Sequence, residues 1–329
     1  MKRLIQLIIN ERDNSIILGD ESGMKENHNV EKKIDNVKMG KKHLSKLKLF
    51  IKLILIIVCI IYIVSPIIIG WYATKRYPET IDEAPKGFDN LSLITSDGVK
   101  LSAWYAPSKN GAAIILLHGS TDSRNSTRKY ATMLSNNGFG VLLFDMRGHG
   151  ESGGNGNAYG WKGTIDVGAA IDFLKRQGDI KSIGGLGISM GGEVLLSSAS
   201  TYPDIQAIIS DGATSHSIDD YLILPSHQNL LRSWFTRVIY TSVQIFSRDH
   251  PPVKMLDSII KAQDTKFLFI AAGNLDEEIE YNTCFHENAV QKSELWIVPD
   301  VGHTGAFDSY PKEYEEKVIS FYKKSLLEE

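Results

Sequence analysis

The strongest chemical signal in the chain is Gly187-Ile188-Ser189-Met190-Gly191, a pentapeptide of the form G-x-S-x-G. It follows an apolar strand-like run, Ser182–Leu186, and opens an apolar helical run, Glu193–Ser200. In that strand-turn-helix setting the serine is expected on a sharp, strained turn with its hydroxyl projecting above a sheet. Glycine at 187 and 191 lets strand and helix approach without colliding β-carbons. The serine also begins a helix, where the dipole favours developing negative charge. Attack of an activated serine on a carbonyl carbon is the chemistry this arrangement serves.

A serine of this kind needs a base, an acid that orients the base, and donors for the oxyanion. Of the nine histidines, His303 is the expected base. It lies in the loop Pro299-Asp300-Val301-Gly302-His303, just after the last strand-like run, Ser293–Val298. His28 and His43 precede an apolar span, His216, His227 and His250 lie in or near an irregular stretch, and His286 falls in a helical pattern. His149 lies in a loop after a strand, and His118, in His118-Gly119-Ser120, is expected to brace its loop. For the acid, Asp276 is the choice, because it stands just past the preceding strand, Lys266–Ala272; Glu277 and Asp211 are alternatives within the same logic. The acidic run Asp276-Glu277-Glu278-Glu280 blurs this choice. The backbone N–H groups of Met190 and Ser120 are the expected oxyanion donors. No organic cofactor or metal is called for. The two cysteines, Cys59 and Cys284, form no CxxC or Cys/His cluster, and Cys59 lies in the apolar span, so no disulfide is expected either.

The elements that must hold these residues follow from periodicity. Leu91–Thr95 and Val99–Tyr105 flank Ser96-Asp97-Gly98 as a hairpin. Strands are expected at Ala112–Leu117, Val141–Phe144, Ser182–Ile188, Ile205–Ser210, Lys266–Ala272 and Ser293–Val298. Helices are expected at Arg128–Asn137, Lys162–Gln177, Met190–Thr201, Ile279–Val290 and Tyr310–Leu327. This alternation predicts a doubly wound, mostly parallel α/β sheet with an antiparallel edge. The alternation breaks at about 212–265, where Leu230–Phe246 reads as a helix in a small lid.

Charge and hydropathy divide the chain further. Residues 1–76 carry 14 Lys and Arg against 7 Asp and Glu, and the remainder carries 22 against 32. An acidic body excludes nucleic acid as its partner, whereas the basic stem suits an anionic membrane surface. Leu53–Ala73 is a run of 21 residues without a charge, long enough as a helix to cross a bilayer. Pro66 is a candidate kink, and Trp71 and Tyr72 fit an interfacial belt. Six lysines from Lys38 to Lys52 precede the run, and only Lys75 and Arg76 follow it closely. The bias places the amino terminus in the cytoplasm and residues 77–329 outside, in the cell membrane as a single-pass protein. The expected division is a basic tail at 1–52, a transmembrane helix at 53–73 and a catalytic domain at 77–329. Residues 1–37, with an apolar cluster in Met1–Asn10, are expected to be largely without regular structure.

The segments Leu116-Leu117-His118-Gly119, Phe144-Asp145-Met146-Arg147-Gly148-His149-Gly150-Glu151-Ser152, Gly187–Gly191 and Val298–His303 together resemble the α/β-hydrolase superfamily over roughly residues 88–326. The resemblance is closest to the branch of serine-aminopeptidase-like and monoacylglycerol-lipase-like serine hydrolases. It implies an eight-stranded sheet with a lid after the sixth strand, an architectural role for Asp145 and Arg147, and the chain order Ser189, Asp276, His303 for the triad. The implied activity is hydrolysis of a carboxylic ester of a small-molecule or lipid-like acyl substrate. Amide hydrolysis of the aminopeptidase kind is the alternative, and a non-catalytic surface binding protein on the same fold is another.

Overall fold

The structure is a computed structural model and describes residues 21–156 and 158–328. The apolar cluster in Met1–Asn10 lies outside the described residues. The chain divides into two compact units, one ending at Ile60 and one beginning at Ile61.

In the first unit, helix α1 spans Glu21–Cys59. Residues 21–37, expected to lack regular structure, are its amino-terminal part. Helix propagation explains the difference: once the apolar run has nucleated a helix, each added residue gains a backbone hydrogen bond at little cost. The apolar side chains Leu53–Val58 are exposed along it. Within the described residues, one helix is long and apolar enough to cross a membrane, Glu31–Ala73.

The boundary falls within a π-helical turn, Ile60–Val64, after which the second unit continues with α2 (Ser65–Ala73), which has Pro66 at its start. Proline has no N–H for the carbonyl four residues earlier, that of Tyr62, and wider π-type winding is a usual response to such a gap. The Tyr62 carbonyl accepts the Trp234 Nε1–H instead, at 3.1 Å.

The sheet that follows has eight strands, β1 (Asp89–Ile94), β2 (Lys100–Ala106), β3 (Ala112–Leu117), β4 (Gly140–Phe144), β5 (Ser182–Ile188), β6 (Ile205–Asp211), β7 (Lys266–Ala272) and β8 (Ser293–Val298). Their order is β1-β2-β4-β3-β5-β6-β7-β8. β1 and β2 are antiparallel to each other and β2 to β4; all other pairs are parallel. The flanking helices are α3 (Arg128–Asn136), α4 (Gly163–Lys175), α5 (Met190–Ser198), α6 (Leu230–Ser247), α7 (Met255–Lys261), α8 (Asp276–Glu287) and α9 (Pro311–Leu326). The fold is therefore the expected doubly wound sheet. Short elements α7 and the turn Ile218–Tyr221 fill the irregular stretch between β6 and β7 along with α6. The seven-residue α7 is too short for its periodicity to stand out in the sequence.

Two cores account for the continuous apolar strands. In β3, Ala113, Ile115 and Leu117 join the core under α4, α5, α7 and α8, while Ala112, Ile114 and Leu116 join the core under α3 and α9. With a side-chain period of two and both faces covered, every position of such a strand must be apolar. The glycines of β5 serve a different need. A β-carbon on Gly187 would lie 2.3 Å from the backbone of Gly191 and Gly192, and one on Gly191 would lie 2.6 Å from the Leu117 carbonyl oxygen. These are backbone clashes, which no rotamer change relieves.

Replacing Gly187 with alanine is accordingly expected to cost about 3 kcal/mol of stability or to prevent folding. Gly178→Ala, at a site with nothing within 4 Å of the added carbon, should stay within about 0.5 kcal/mol of the parent. Thermal unfolding of the detergent-solubilised variants checks this, and equal stabilities would contradict the close-approach account.

Candidate active site

Because β3 and β5–β8 run parallel, the loops at their carboxyl ends share one edge of the sheet. Ser189 stands directly after β5 with φ 52° and ψ −121°, a backbone state that L-residues rarely occupy. Its N–H donates to the Asp211 carbonyl at 2.7 Å, tying the turn to the end of β6. The first residue of α5 is Met190, so the turn feeds straight into a helix N-terminus.

His303 arrives from the loop after β8. Its Nε2 lies 2.8 Å from Ser189 Oγ, and its Nδ1 lies 2.7 Å from Glu278 Oε2. With a carboxylate at Nδ1, that nitrogen carries the proton and Nε2 is left to accept the serine hydroxyl. Gly212, at φ 81°, leaves room for the ring; a β-carbon there would lie 3.0 Å from His303 Cε1. The imidazole is 44% exposed, so it is reachable from solvent, whereas Glu278 is 2% exposed. The hydrogen bond from Glu278 raises the His303 pKa above its ordinary value, desolvation opposes that rise, and the charges of Glu278, Asp211 and Glu193 add to it.

The carboxylate on His303 is thus Glu278, not the expected Asp276. The cause is the start of α8. Expected at Ile279, the helix begins at Asp276, which is exposed at its first turn. Glu278 falls on the buried face with Tyr281, Asn282 and Phe285, a spacing of three to four residues. Its side chain turns back over the preceding turn, as helical side chains do, and Oε1 accepts the N–H of Ala272 at 2.7 Å. That periodicity was the available signal, once the helix is started three residues earlier. Glu277 is exposed and sits 3.8 Å from His227 instead. Asp211 is buried against the Tyr314 hydroxyl at 3.0 Å, and burial pushes its pKa up to about 7.

The remaining expected residues flank the serine. A β-carbon on Gly119 would lie 3.7 Å from Ser189 Cβ, so the loop after β3 abuts the nucleophile turn. Ser120 in that loop and Met190 both border a cavity of about 190 Å³. His118 is fully buried, its Nδ1–H donating to the Gly119 carbonyl at 2.8 Å and its Nε2 accepting the Met146 N–H at 3.0 Å. Burial lowers its pKa to about 3, which keeps it neutral in this bracing role. His149 Nε2 donates to the Ser120 carbonyl at 2.6 Å and fixes the same loop. Asp145 pairs with Arg124, and Arg147 bridges Asp97 and Asp166, so both buried charges stitch the loops together away from the serine.

Fold and site geometry define the class: the chain has the α/β-hydrolase fold. Residues 108–258 match the family described as serine aminopeptidase, S33. Among solved structures, the Pyrococcus furiosus esterase Pf2001 is similar with a TM-score of 0.62 and 26% identity, over 77% of this chain and 99% of the esterase. The esterase EaEST of Exiguobacterium antarcticum shares the fold with a TM-score of 0.54 and 21% identity, over 71% of this chain and 100% of that one. Among curated proteins, the uncharacterized protein Rv2307c of Mycobacterium tuberculosis is 28% identical over 238 residues, 69% of this chain and 75% of the relative. The chain is a hydrolase by fold, with esterases among its structural neighbours.

If Glu278 holds His303, Glu278→Gln removes the charge that raises the imidazole pKa, and the titration midpoint of His303 should fall. Asp276→Asn should leave that midpoint where it is. Histidine-selective NMR of the two variants reads this directly; a midpoint that moved with Asp276 and not with Glu278 would overturn the assignment.

Proposed function

We propose that the protein is a serine hydrolase that cleaves a carboxylic ester through an acyl-enzyme, with Ser189 as nucleophile, His303 as base and Glu278 as the orienting acid. The observation that carries this reading is the continuous hydrogen-bonded line Ser189 Oγ–His303 Nε2, His303 Nδ1–Glu278 Oε2, at 2.8 and 2.7 Å. His303 takes the hydroxyl proton as Ser189 Oγ bonds to the carbonyl carbon. The Met190 and Ser120 N–H groups receive the oxyanion. The tetrahedral adduct collapses as His303 returns the proton to the departing alkoxide, leaving an acyl-serine and an alcohol. Water then gives a proton to His303 and attacks the acyl carbon, and the carboxylic acid leaves as Ser189 regains its proton.

The esterase neighbours and the apolar bordering of the cavity favour an ester with an acyl chain. The match to the serine aminopeptidase family favours an amide as the second reading. The lysine-rich flank at Lys38–Lys52 supports a cytoplasmic amino terminus, a span at 53–73 and a catalytic domain at 77–329 on the far side of the membrane.

Fluorophosphonate labelling of the full-length protein in detergent tests the reading. The parent should label, Ser189→Ala should not, and His303→Ala should label about 10³-fold more slowly. A folded parent that stays unlabelled would sink the acyl-transfer reading. With labelling established, an acyl-ester panel beside aminoacyl amides separates the two substrate classes by kcat/KM.

A further inference from the structure

The apolar helix does not end in a free tether. Thr74–Tyr77 is stitched to the loop Gly148–Gly156: Tyr77 N–H donates to the Gly148 carbonyl at 2.7 Å, Gly150 N–H to the Tyr77 carbonyl at 2.9 Å, and the Arg76 guanidinium to the Ser152 carbonyl at 2.8 Å. Gly156, at φ 135°, lies so close that an added β-carbon would sit 2.0 Å from the Thr74 carbonyl oxygen. One turn earlier, Gly70 packs against α6, where a β-carbon would lie 2.6 Å from both the Ile239 carbonyl oxygen and Ser242 Cβ. Small residues permit such close helix pairs within membranes, and the Trp234 hydrogen bond to the Tyr62 carbonyl closes a polar gap there. The helix end is thus held at three places on the catalytic unit.

This docking places the helix end against the site. The cavity that Met190 and Ser120 border is walled on its other side by Ile69, Tyr72 and Ala73 of α2. At about 190 Å³ it is smaller than the ~300–1,000 Å³ of sites that enclose a whole drug-sized ligand, so it suits one arm of a substrate. A chain of contacts also runs from the helix to the loop beside the serine. Tyr72 meets Tyr77 edge to face, Tyr77 stacks on His149 at 5.3 Å between ring centres, and His149 holds the Ser120 carbonyl. Beside α2, α6 leaves Leu230, Leu231, Trp234, Ile245 and Phe246 exposed, at 46–86%.

We propose that the last turn of the membrane-spanning helix is a wall of the acyl-binding cavity, so that Ile69 and Ala73 determine which acyl chains the enzyme accepts; this rests on the acyl-transfer reading above. The apolar face of α6 continues the same surface into the lipid. An acyl chain at the bilayer surface then reaches Ser189 along the helix without crossing water.

The test uses full-length protein in nanodiscs and a series of 4-nitrophenyl esters from acetyl to decanoyl. Ile69→Trp fills the cavity and should lower the ratio of kcat/KM for decanoyl over acetyl ester at least tenfold. Ile68→Trp, on an exposed position of the same helix, should leave the ratio unchanged. A second readout needs no turnover: binding of a dansyl-labelled fatty acid to Ser189→Ala protein should be weakened by adding Ile69→Trp and not by adding Ile68→Trp. An unchanged ester ratio together with unchanged fatty-acid binding in the Ile69→Trp proteins would overturn the proposal. Weakened fatty-acid binding in a protein that fails to label with fluorophosphonate would instead leave the wall in place and remove the acyl-transfer reading.

Discussion

The close approach of β5 and α5 around Ser189 is the constraint on which the site depends. The turn holds a non-glycine residue at φ 52°, a state that costs on the order of 1–3 kcal/mol and persists only when its surroundings fix it. Two bare glycines, 187 and 191, let the backbones touch, and the Ser189 N–H is fixed by the Asp211 carbonyl. β5 lies between β3 and β6, so the loop carrying Gly119 and Ser120 and the end of β6 flank the serine from either side. The parallel run to β7 and β8 then brings Glu278 and His303 to the same edge. The geometry around Ser189 is a consequence of strand order, and the order is a consequence of right-handed crossovers between buried apolar strands.

The charge around His303 needs the same kind of control. Three buried carboxyl groups, of Glu278, Asp211 and Glu193, act on the imidazole. Each of them, when ionised, favours the charged imidazolium over the neutral base. Burial pushes both Asp211 and Glu193 up to about 7, opposed in part by the Tyr314 hydroxyl on Asp211 and by the Thr214 N–H and hydroxyl on Glu193. Only Glu278 combines burial with a direct hydrogen bond to the ring. The result separates one carboxylate that hydrogen-bonds the imidazole from two whose pKa values burial pushes up, a division by environment rather than by residue type.

What could be read from the sequence follows from how local each signal is. β3, β5 and β7 were legible to the residue, because a strand buried on both faces is an almost unbroken run of apolar and small residues bounded by turn residues. The serine turn was legible because backbone contact demands glycine at two fixed positions. His303 was legible because a loop after the last parallel strand has one edge of the sheet to reach. The acid was not, since four carboxylates lie within five residues and the choice among them depends on where α8 starts, which is a matter of one helical turn. The helical state of residues 21–37 was illegible for a related reason: their composition is polar, and their helix is inherited from the apolar segment that follows.

The docked helix end is part of the folded unit and not a tether to it. Here Pro66 breaks the backbone ladder where Trp234 can repair it, Gly70 lets α6 come into contact, and Gly156 receives the chain as it leaves the helix. Each is a residue whose identity makes little sense for a lone span: the proline and glycine weaken a helix, and the tryptophan lies exposed on α6. Together they exchange intrinsic helix stability for a fixed position. A segment fixed in this way holds Ile69, Tyr72 and Ala73 at one place beside the cavity that Ser120 and Met190 border.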